Sequence, residues 1–144
     1  MYLQGTGFVI ACGQGHFDIV KILLDQSVSK NIDLNGRDRE GNTGFIEACK
    51  RKSTDLVKLF LTHPHCQSLD FNIRNNAGQS GLTLSCEIGS IELVELLLEY
   101  AESRGISLPT RAESLNYCAE IKALLENTWQ QLLCKRMKYM TLNS

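Results

Sequence analysis

The feature that most constrains this chain is an internal repeat with a period of 37 residues. Three segments align at that offset without a gap, and they begin at Thr6, Thr43 and Ser80. Each starts with Thr or Ser, then Gly and a large apolar residue, and continues through a Cys and an acidic residue to an apolar ladder. So many positions in phase indicate a row of similar stacked units rather than one globular core.

Each unit has the pattern of two helices joined by a short break. The opening Thr or Ser suits a helix N-cap, because its hydroxyl can accept from an early helical N–H. The apolar residues that follow recur at i, i+3 and i+4, as on one face of a helix. The second helix of the first unit carries five apolar residues within 19–24, which predicts burial on most of its sides. The polar runs at 38–41 and 75–78 end in Gly, which favours a β-turn.

The composition excludes several classes of protein. Hydrophobic residues make up 43% of the chain and charged residues 22%, which is typical of a folded globular protein. A net charge of -1 does not favour binding to nucleic acid. No apolar run is long enough to cross a bilayer, and the first residues do not form a secretory signal. We therefore expect a monomer of the cytoplasm or nucleus that binds neither nucleic acid nor membrane.

These residues resemble the ankyrin repeat, whose consensus runs D-x-x-G-x-T-P-L-H-x-A-A-x-x-G-H before an apolar V-x-L-L-L ladder. The matching residues of the second unit are Asp38, Gly41, Thr43, Phe45 and Ala48. Turn, phase and both helices agree over about residues 4–109. The resemblance implies an all-α fold, an ankyrin-repeat α-solenoid of stacked helix-turn-helix units joined by β-turn or hairpin-like loops.

The chain departs from the family pattern at one recurring position. Where the family has Pro after Thr, this chain has Gly7, Gly44 and Gly81. Pro is preorganised for the first helical turn, whereas Gly adds conformational freedom to the unfolded chain. We therefore expect each helix start to be weaker by about 0.5–1 kcal/mol.

The period divides the chain into three units and a shortened fourth. We assign residues 1–37, 38–74 and 75–109 to ankyrin-like repeats, the first of which lacks the Asp-x-x-Gly turn, so the chain is expected to begin inside a repeat. Residues 110–134 are predicted to form a shortened C-terminal capping unit, and residues 135–144 a frayed tail. Six apolar side chains of the capping unit are expected to face the stack: Leu115, Cys118, Ile121, Leu124, Leu125 and Trp129.

No catalytic pattern stands out in the sequence, which lacks both G-x-S-x-G and a P-loop. Cys12, Cys49 and Cys86 are one repeat position seen three times, and we interpret them as small buried hydrophobes. The His-Pro-His-Cys run at 63–66 is the one dense group of possible ligands, and zinc there would need a fourth ligand such as Cys49 or a carboxylate. We interpret the run instead as a solvated loop, and predict no enzyme activity, no metal and no cofactor.

The resemblance implies a non-catalytic scaffold that binds a protein partner on the concave face formed by the turns and first helices. The positions carried over are Ile10, Gln14, Arg37, Arg39, Glu40, Glu47, Lys50, Arg51, Arg74, Asn76, Gln79, Leu84, Glu87 and Ile88. The three apolar members are either anchors for the partner or covered by neighbouring side chains. The third unit has one Arg against five Glu, a net of -4, beside the basic run at 50–52, and such a mixed surface would steer a protein partner.

A second interpretation remains open at this point. The chain could be a regulatory or targeting ankyrin segment of a longer enzyme or channel whose catalytic part is not in this sequence. The reading frame upstream of Met1 separates the two hypotheses, since further repeats or a catalytic domain there would favour the second.

Overall fold

The structure is a computed structural model that describes residues 3–142, with side chains from residue 7 to residue 142. Within these residues the chain forms α-helices and two short 3₁₀ helices, Pro64–Ser68 and Glu113–Asn116, and no strand. The seven α-helices are α1 (Leu3–Gly13), α2 (Phe17–Asp25), α3 (Gly44–Lys50), α4 (Thr54–Thr62), α5 (Gly81–Ile88), α6 (Ile91–Arg104) and α7 (Ala119–Leu142). The predicted all-α fold is confirmed.

The helices stack in pairs. Helix α1 packs against α2, α3 against α4 and α5 against α6, as each helix-turn-helix unit predicts. The first helices contact one another in the order α1, α3, α5, and the second helices in the order α2, α4, α6. Helix α7 packs against α6 and covers the far end of the row. The core therefore runs along the stack, with each unit burying its apolar face against the next.

Two of the three predicted helix caps are present. The Thr43 hydroxyl accepts from the backbone N–H of Ile46 at 3.2 Å, and α3 begins at the next residue. Ser80 and Thr83 form a reciprocal capping box at the start of α5. The cap predicted at Thr6 is wrong, because α1 already begins at Leu3; the Thr6 side chain lies outside the described side chains.

The glycines that stand in place of the family's Pro make room for an aromatic ring. A Cβ at Gly44 would lie 2.7 Å from the ring of Phe8 in the preceding unit. A Cβ at Gly81 would overlap the ring of Phe45 in the same way. Each phenyl group therefore lies on the glycine of the next unit. These glycines therefore have a role in packing between units, in addition to the conformational freedom that they give the unfolded chain.

Contacts between aromatic rings continue this packing along the core. The rings of Phe8 and Phe45 both meet the edge of Phe60, with centroids 5.9 and 6.3 Å away. Phe45 also meets Phe71 at 4.9 Å. All three pairs are T-shaped, a favourable geometry for aromatic rings. The second unit is thus the centre of the aromatic core.

Asparagine side chains join the loops that follow the second helices. Asn35 donates to the Ser68 carbonyl at 3.0 Å and accepts from the Asp70 N–H at 2.8 Å. One period later, Asn72 donates to the Gly105 carbonyl at 2.8 Å and accepts from the Ser107 N–H at 2.7 Å. The repeat is therefore preserved in its hydrogen bonds as well as in its helices.

The apolar ladder of α2 is less buried than predicted. Val20 and Leu24 are buried, but Ile22 and Ile19 are exposed. For Ile19 the reason is position in the row, because its equivalents Leu56 and Leu93 are buried and the first unit has no neighbour on its outer side within the described residues. Ile22 differs, since its equivalents Leu59 and Leu96 are partly exposed even inside the stack.

The C-terminal segment also differs from the prediction. Helix α7 continues to Leu142, so a frayed tail from residue 135 is wrong as far as the structure describes it; residues 143–144 lie outside the described part. Ile121 and Leu125 are buried, and two further predicted contacts, Leu124 and Trp129, pack half-buried against the core.

Two of the predicted cap contacts are wrong. Leu115 and Cys118 are exposed. Between them, Tyr117 is buried and joins the core. The 3₁₀ helix that precedes it, Glu113–Asn116, rotates the chain so that Ser114 faces inward and Leu115 outward. A different residue therefore fills the space that Leu115 and Cys118 were expected to fill.

Candidate protein-interaction surface

The turns between the units are built by an Asp or Asn side chain at their first position. The Asp38 carboxylate accepts the backbone N–H groups of Glu40 and Asn42, both at 2.9 Å. Asn75 accepts from Ala77 at 3.0 Å and Gln79 at 2.9 Å in the same pattern. Backbone bonds close each turn, with N···O distances of 3.0 Å in the first and 2.9 Å in the second. These are the hairpin-like loops that the sequence predicts.

The two turns are hydrogen-bonded to each other. The Asn76 backbone N–H donates to the Glu40 carbonyl, and its side-chain amide donates to the Arg39 carbonyl, both at 2.9 Å. The Asn75 amide donates to the Asn42 side chain, also at 2.9 Å. The turn tips are thereby held at a fixed separation, and they form one continuous edge of the stack.

A groove lies between this edge and the first helices. Its volume is about 410 Å³. Its lining residues are Arg39, Glu40, Asn42, Lys50, Asn75, Asn76, Ala77, Gln79 and Leu84. Six of the predicted partner contacts are among them, so the structure brings the turn positions and the α3 and α5 positions together.

The three apolar members of the predicted set have different surroundings. Ile10 is 55% exposed on α1 and is free to touch a partner. Leu84 is buried, so it is covered by its neighbours and is available only as the floor of the groove. Ile88 is half-buried at the end of α5. Of the two alternatives left open by the sequence, exposure holds for Ile10 and coverage for Leu84.

Two of the predicted cations are engaged within the chain. Arg51 donates to the Gly13 carbonyl at 2.7 Å and so joins the first two units. Arg74 donates to the Gly78 carbonyl at 2.7 Å and pairs with Glu113 at 3.2 Å. Both side chains therefore have a structural role that a charge reversal would disturb.

The other three predicted cations make weaker contacts, or none, with the described residues. Lys50 makes only an exposed ion pair with Glu40 at 3.5 Å, which is worth little in water. The side chains of Arg37 and Arg39 are exposed and make no hydrogen bond or ion pair with the described residues. These three positive charges are thus presented to solvent beside the groove.

Three polar members of the predicted set are held locally. Glu47 accepts from the Asn42 amide at 2.8 Å. Glu87 accepts from the Gln79 amide, which fixes both of those side chains. Gln14 accepts from the His16 ring at 3.0 Å on the exposed end of α1.

Asn75, which links the two turns, was missing from the predicted set. Its place one period after Asp38 was the available signal, since a residue in that position organises the turn in both units. The sequence pattern does not show that the Asn75 side-chain amide also donates a hydrogen bond to Asn42 in the other turn. Asn42 and Ala77 also line the groove.

The interpretation of residues 63–66 as a solvated loop is wrong. Residues Pro64–Ser68 form a 3₁₀ helix, and His63 and Cys66 are buried. Nδ1 of His63 accepts the His65 N–H at 3.1 Å, so the ring proton is on Nε2, which donates to Asp25 at 2.8 Å. His65 donates to a backbone carbonyl of α2 at 3.0 Å. This segment therefore joins the first two units.

Four cysteine thiols are buried inside the stack. Burial raises the pKa of Cys12, Cys49 and Cys86 to about 12, so these thiols are not nucleophiles at neutral pH. Burial also raises the pKa of Cys66, to about 11. Residues 3–142 bring no three His, Cys, Asp or Glu side chains together as a metal site. Among the helices described, none is long and apolar enough to span a bilayer.

A row of helix-turn-helix units with hydrogen-bonded turn tips along one edge defines a repeat scaffold. The family model for ankyrin repeats (3 copies) matches residues 4–68. That segment belongs to the ankyrin-repeat family, and the all-helical stack of the described residues is consistent with an ankyrin-repeat solenoid. Ankyrin repeats are generally protein–protein interaction modules and typically carry no catalytic activity. No curated protein matches this chain.

Proposed function

We propose that this chain is a non-catalytic scaffold that binds a protein partner through its turn tips and first helices. The observation that carries the proposal is the groove of about 410 Å³ between the two linked turns and the helices behind them. Its walls are held in place by the bonds between the turns, so a partner would meet a preformed surface.

The side chains around the groove indicate the chemistry of the partner. Arg39 and Lys50 line the groove with positive charge beside Glu40, and the exposed Arg37 directly precedes the first turn in sequence. Leu84 provides a small apolar floor. A segment that carries carboxylates together with one apolar side chain fits this arrangement best.

The experiment begins with purification of binding proteins on the intact chain and measurement of the affinity of the partner so identified. The variant Arg37→Glu/Arg39→Glu/Lys50→Glu is expected to weaken that affinity at least about tenfold, with less effect at high salt, because exposed charges steer association. Its unfolding midpoint should stay close to that of the wild type, since these side chains hold no part of the fold together.

A matched control reverses three exposed lysines on the other side of the units, Lys21, Lys58 and Lys122. It changes the net charge equally and is expected to leave the affinity unchanged. If the control weakens binding as much as the groove variant, charge alone explains the loss. If affinity survives in the groove variant, the proposed surface is wrong.

A further inference from the structure

The outer face of the first unit has the composition of a repeat–repeat interface. Ile19 on α2 is 49% exposed, whereas the equivalent Leu56 and Leu93 are 1% and 0% exposed in the next two units. Leu23 is half-buried, whereas its equivalents Phe60 and Leu97 are fully buried. The first unit thus carries the apolar side chains that the others bury against a preceding unit.

The same face contains an empty place for an aromatic ring. No atom of the described residues lies within 4 Å of the position that a Cβ would take at Gly7, whereas Gly44 and Gly81 lie under the rings of the preceding units. A cavity of about 520 Å³ opens there, lined by Gly7, Phe8, Leu23, Lys30 and Ile32.

The neighbouring interfaces specify what would fill this cavity. Gly44 is contacted by the Phe8 ring and by the Cys12 sulfur, which are four residues apart on one helix. Gly81 is contacted by Phe45 and Cys49, with the same spacing. An occupant that repeats this geometry therefore carries Phe and Cys four residues apart on a helix parallel to α1.

We propose that this face is an open repeat–repeat interface whose occupant is a further helix-turn-helix unit of the same type. Continuity with the two interfaces inside the stack supports it, because Gly7, Ile19 and Leu23 occupy the positions that receive a neighbour in the other units. The occupant places its phenyl group on Gly7 and packs its second helix on Ile19.

A second copy of the chain fits the face less well. Two copies that meet face to face would pair this face with itself, whereas the interfaces inside the stack join a ring-bearing face to a glycine-bearing one. Head-to-tail stacking would need a free far end, but α7 covers that end with the buried side chains of Ile121 and Leu125. The contact is between unlike surfaces, and the described residues leave only one of them open.

The test joins a second copy of residues 38–80 to Gly7 of the chain. Residues 75–80 of the copy then replace residues 1–6, so the 37-residue period is preserved. We expect the amide hydrogens of α1 and α2 to exchange at least about tenfold more slowly than in the natural chain, because the added unit covers their outer face.

Three variants of this extended chain decide the matter. Gly7→Leu fills the place of the ring and Ile19→Glu puts a charge in the interface, so each should abolish the gain in protection. Ile22→Glu is the control, since its equivalents Leu59 and Leu96 stay partly exposed inside the stack. The proposal fails if the extended chain gains no protection, or if the gain survives Gly7→Leu and Ile19→Glu.

Sedimentation of the natural chain tests whether a second copy covers the face instead. A monomer whose α2 amides exchange rapidly is the expected result. A dimer that Ile19→Glu converts to monomer would show that a second copy covers this face, and the proposal of a further repeat unit would be overturned.

Discussion

The first repeat and the two that follow it carry the same pattern and differ in what surrounds them. Ile19 is 49% exposed, whereas Leu56, one period later, is 1% exposed. Gly7 faces open space, whereas Gly44 lies beneath a phenyl ring. Burial of a given repeat position therefore depends on the neighbouring unit, because each unit supplies only half of every interface.

The two ends of the stack also differ in how they are covered. The far end is closed by α7, whose Ile121 and Leu125 are buried. Exposed polar contacts add to this cover: Arg111 lies 5.3 Å from the Trp129 ring, and Lys135 pairs with Glu102 at 2.7 Å. The first repeat has no such cover among the described residues. The stack is therefore asymmetric. Helix α7 covers one end, and the other end exposes side chains whose equivalents are buried between units.

The largest expected effect comes from truncating equivalent ladder residues. Leu56→Ala should lower the free energy of unfolding by about 2–5 kcal/mol, because it leaves a cavity in a packed interface. Ile19→Ala should cost less than about 1 kcal/mol, because half of that side chain is already in water. Urea denaturation of both variants measures the difference. Equal losses would contradict the assigned packing.

The next largest change in stability is expected from the glycines, and the two substitutions should change stability in opposite directions. Gly44→Ala should destabilise the chain by about 1–3 kcal/mol, since the new Cβ would lie 2.7 Å from the Phe8 ring. Gly7→Ala should stabilise it by about 0.5–1 kcal/mol, because Ala is the better residue inside a helix and meets nothing there. Thermal unfolding gives the sign directly. A loss at Gly7 as large as that at Gly44 would mean that the outer face is already filled.

The smallest effect concerns the contact between the second unit and the C-terminal cap. The Thr110 backbone N–H, with help from Arg74, holds the pKa of Glu113 below its ordinary value. A lowered pKa means that the charged carboxylate stabilises the fold at neutral pH and that this stability is lost as pH falls through the folded-state pKa. Because the side chain is partly exposed, Glu113→Gln should cost less than about 1 kcal/mol at pH 7.

Stability curves of wild type and Glu113→Gln against pH test this. The two should converge at acid pH, where the wild-type carboxyl is also neutral. A gap that stays constant from neutral to acid pH would show that the ion pair and the hydrogen bonds of Glu113 do not stabilise the fold.

Much of the fold was predictable because it depends on local chemistry. The caps at Thr43 and Ser80 form within three residues of themselves, so the sequence contains everything that they need. The turns at Asp38 and Asn75 are equally local. The cap at Thr6 failed because three residues before it join α1.

The candidate surface was predictable in outline only. Six of the fourteen predicted positions line one groove, and the other eight do not. The roles of individual side chains were not predictable, since Arg51 bonds to Gly13 in another unit and Leu84 is covered by residues distant in sequence. Residues 63–66 failed for the same reason, because His63 is buried by its bond to Asp25 in the preceding unit.

The period, the helical pairs and the turns can be predicted from the sequence, because helix pairs and turns form through interactions within a few residues. Only the packing of the units decides which of the equivalent residues are buried, and that the rings of Phe8 and Phe45 lie on Gly44 and Gly81. Those outcomes depend on contacts between residues about one period apart, and a pattern read along the chain does not contain the neighbour that makes them.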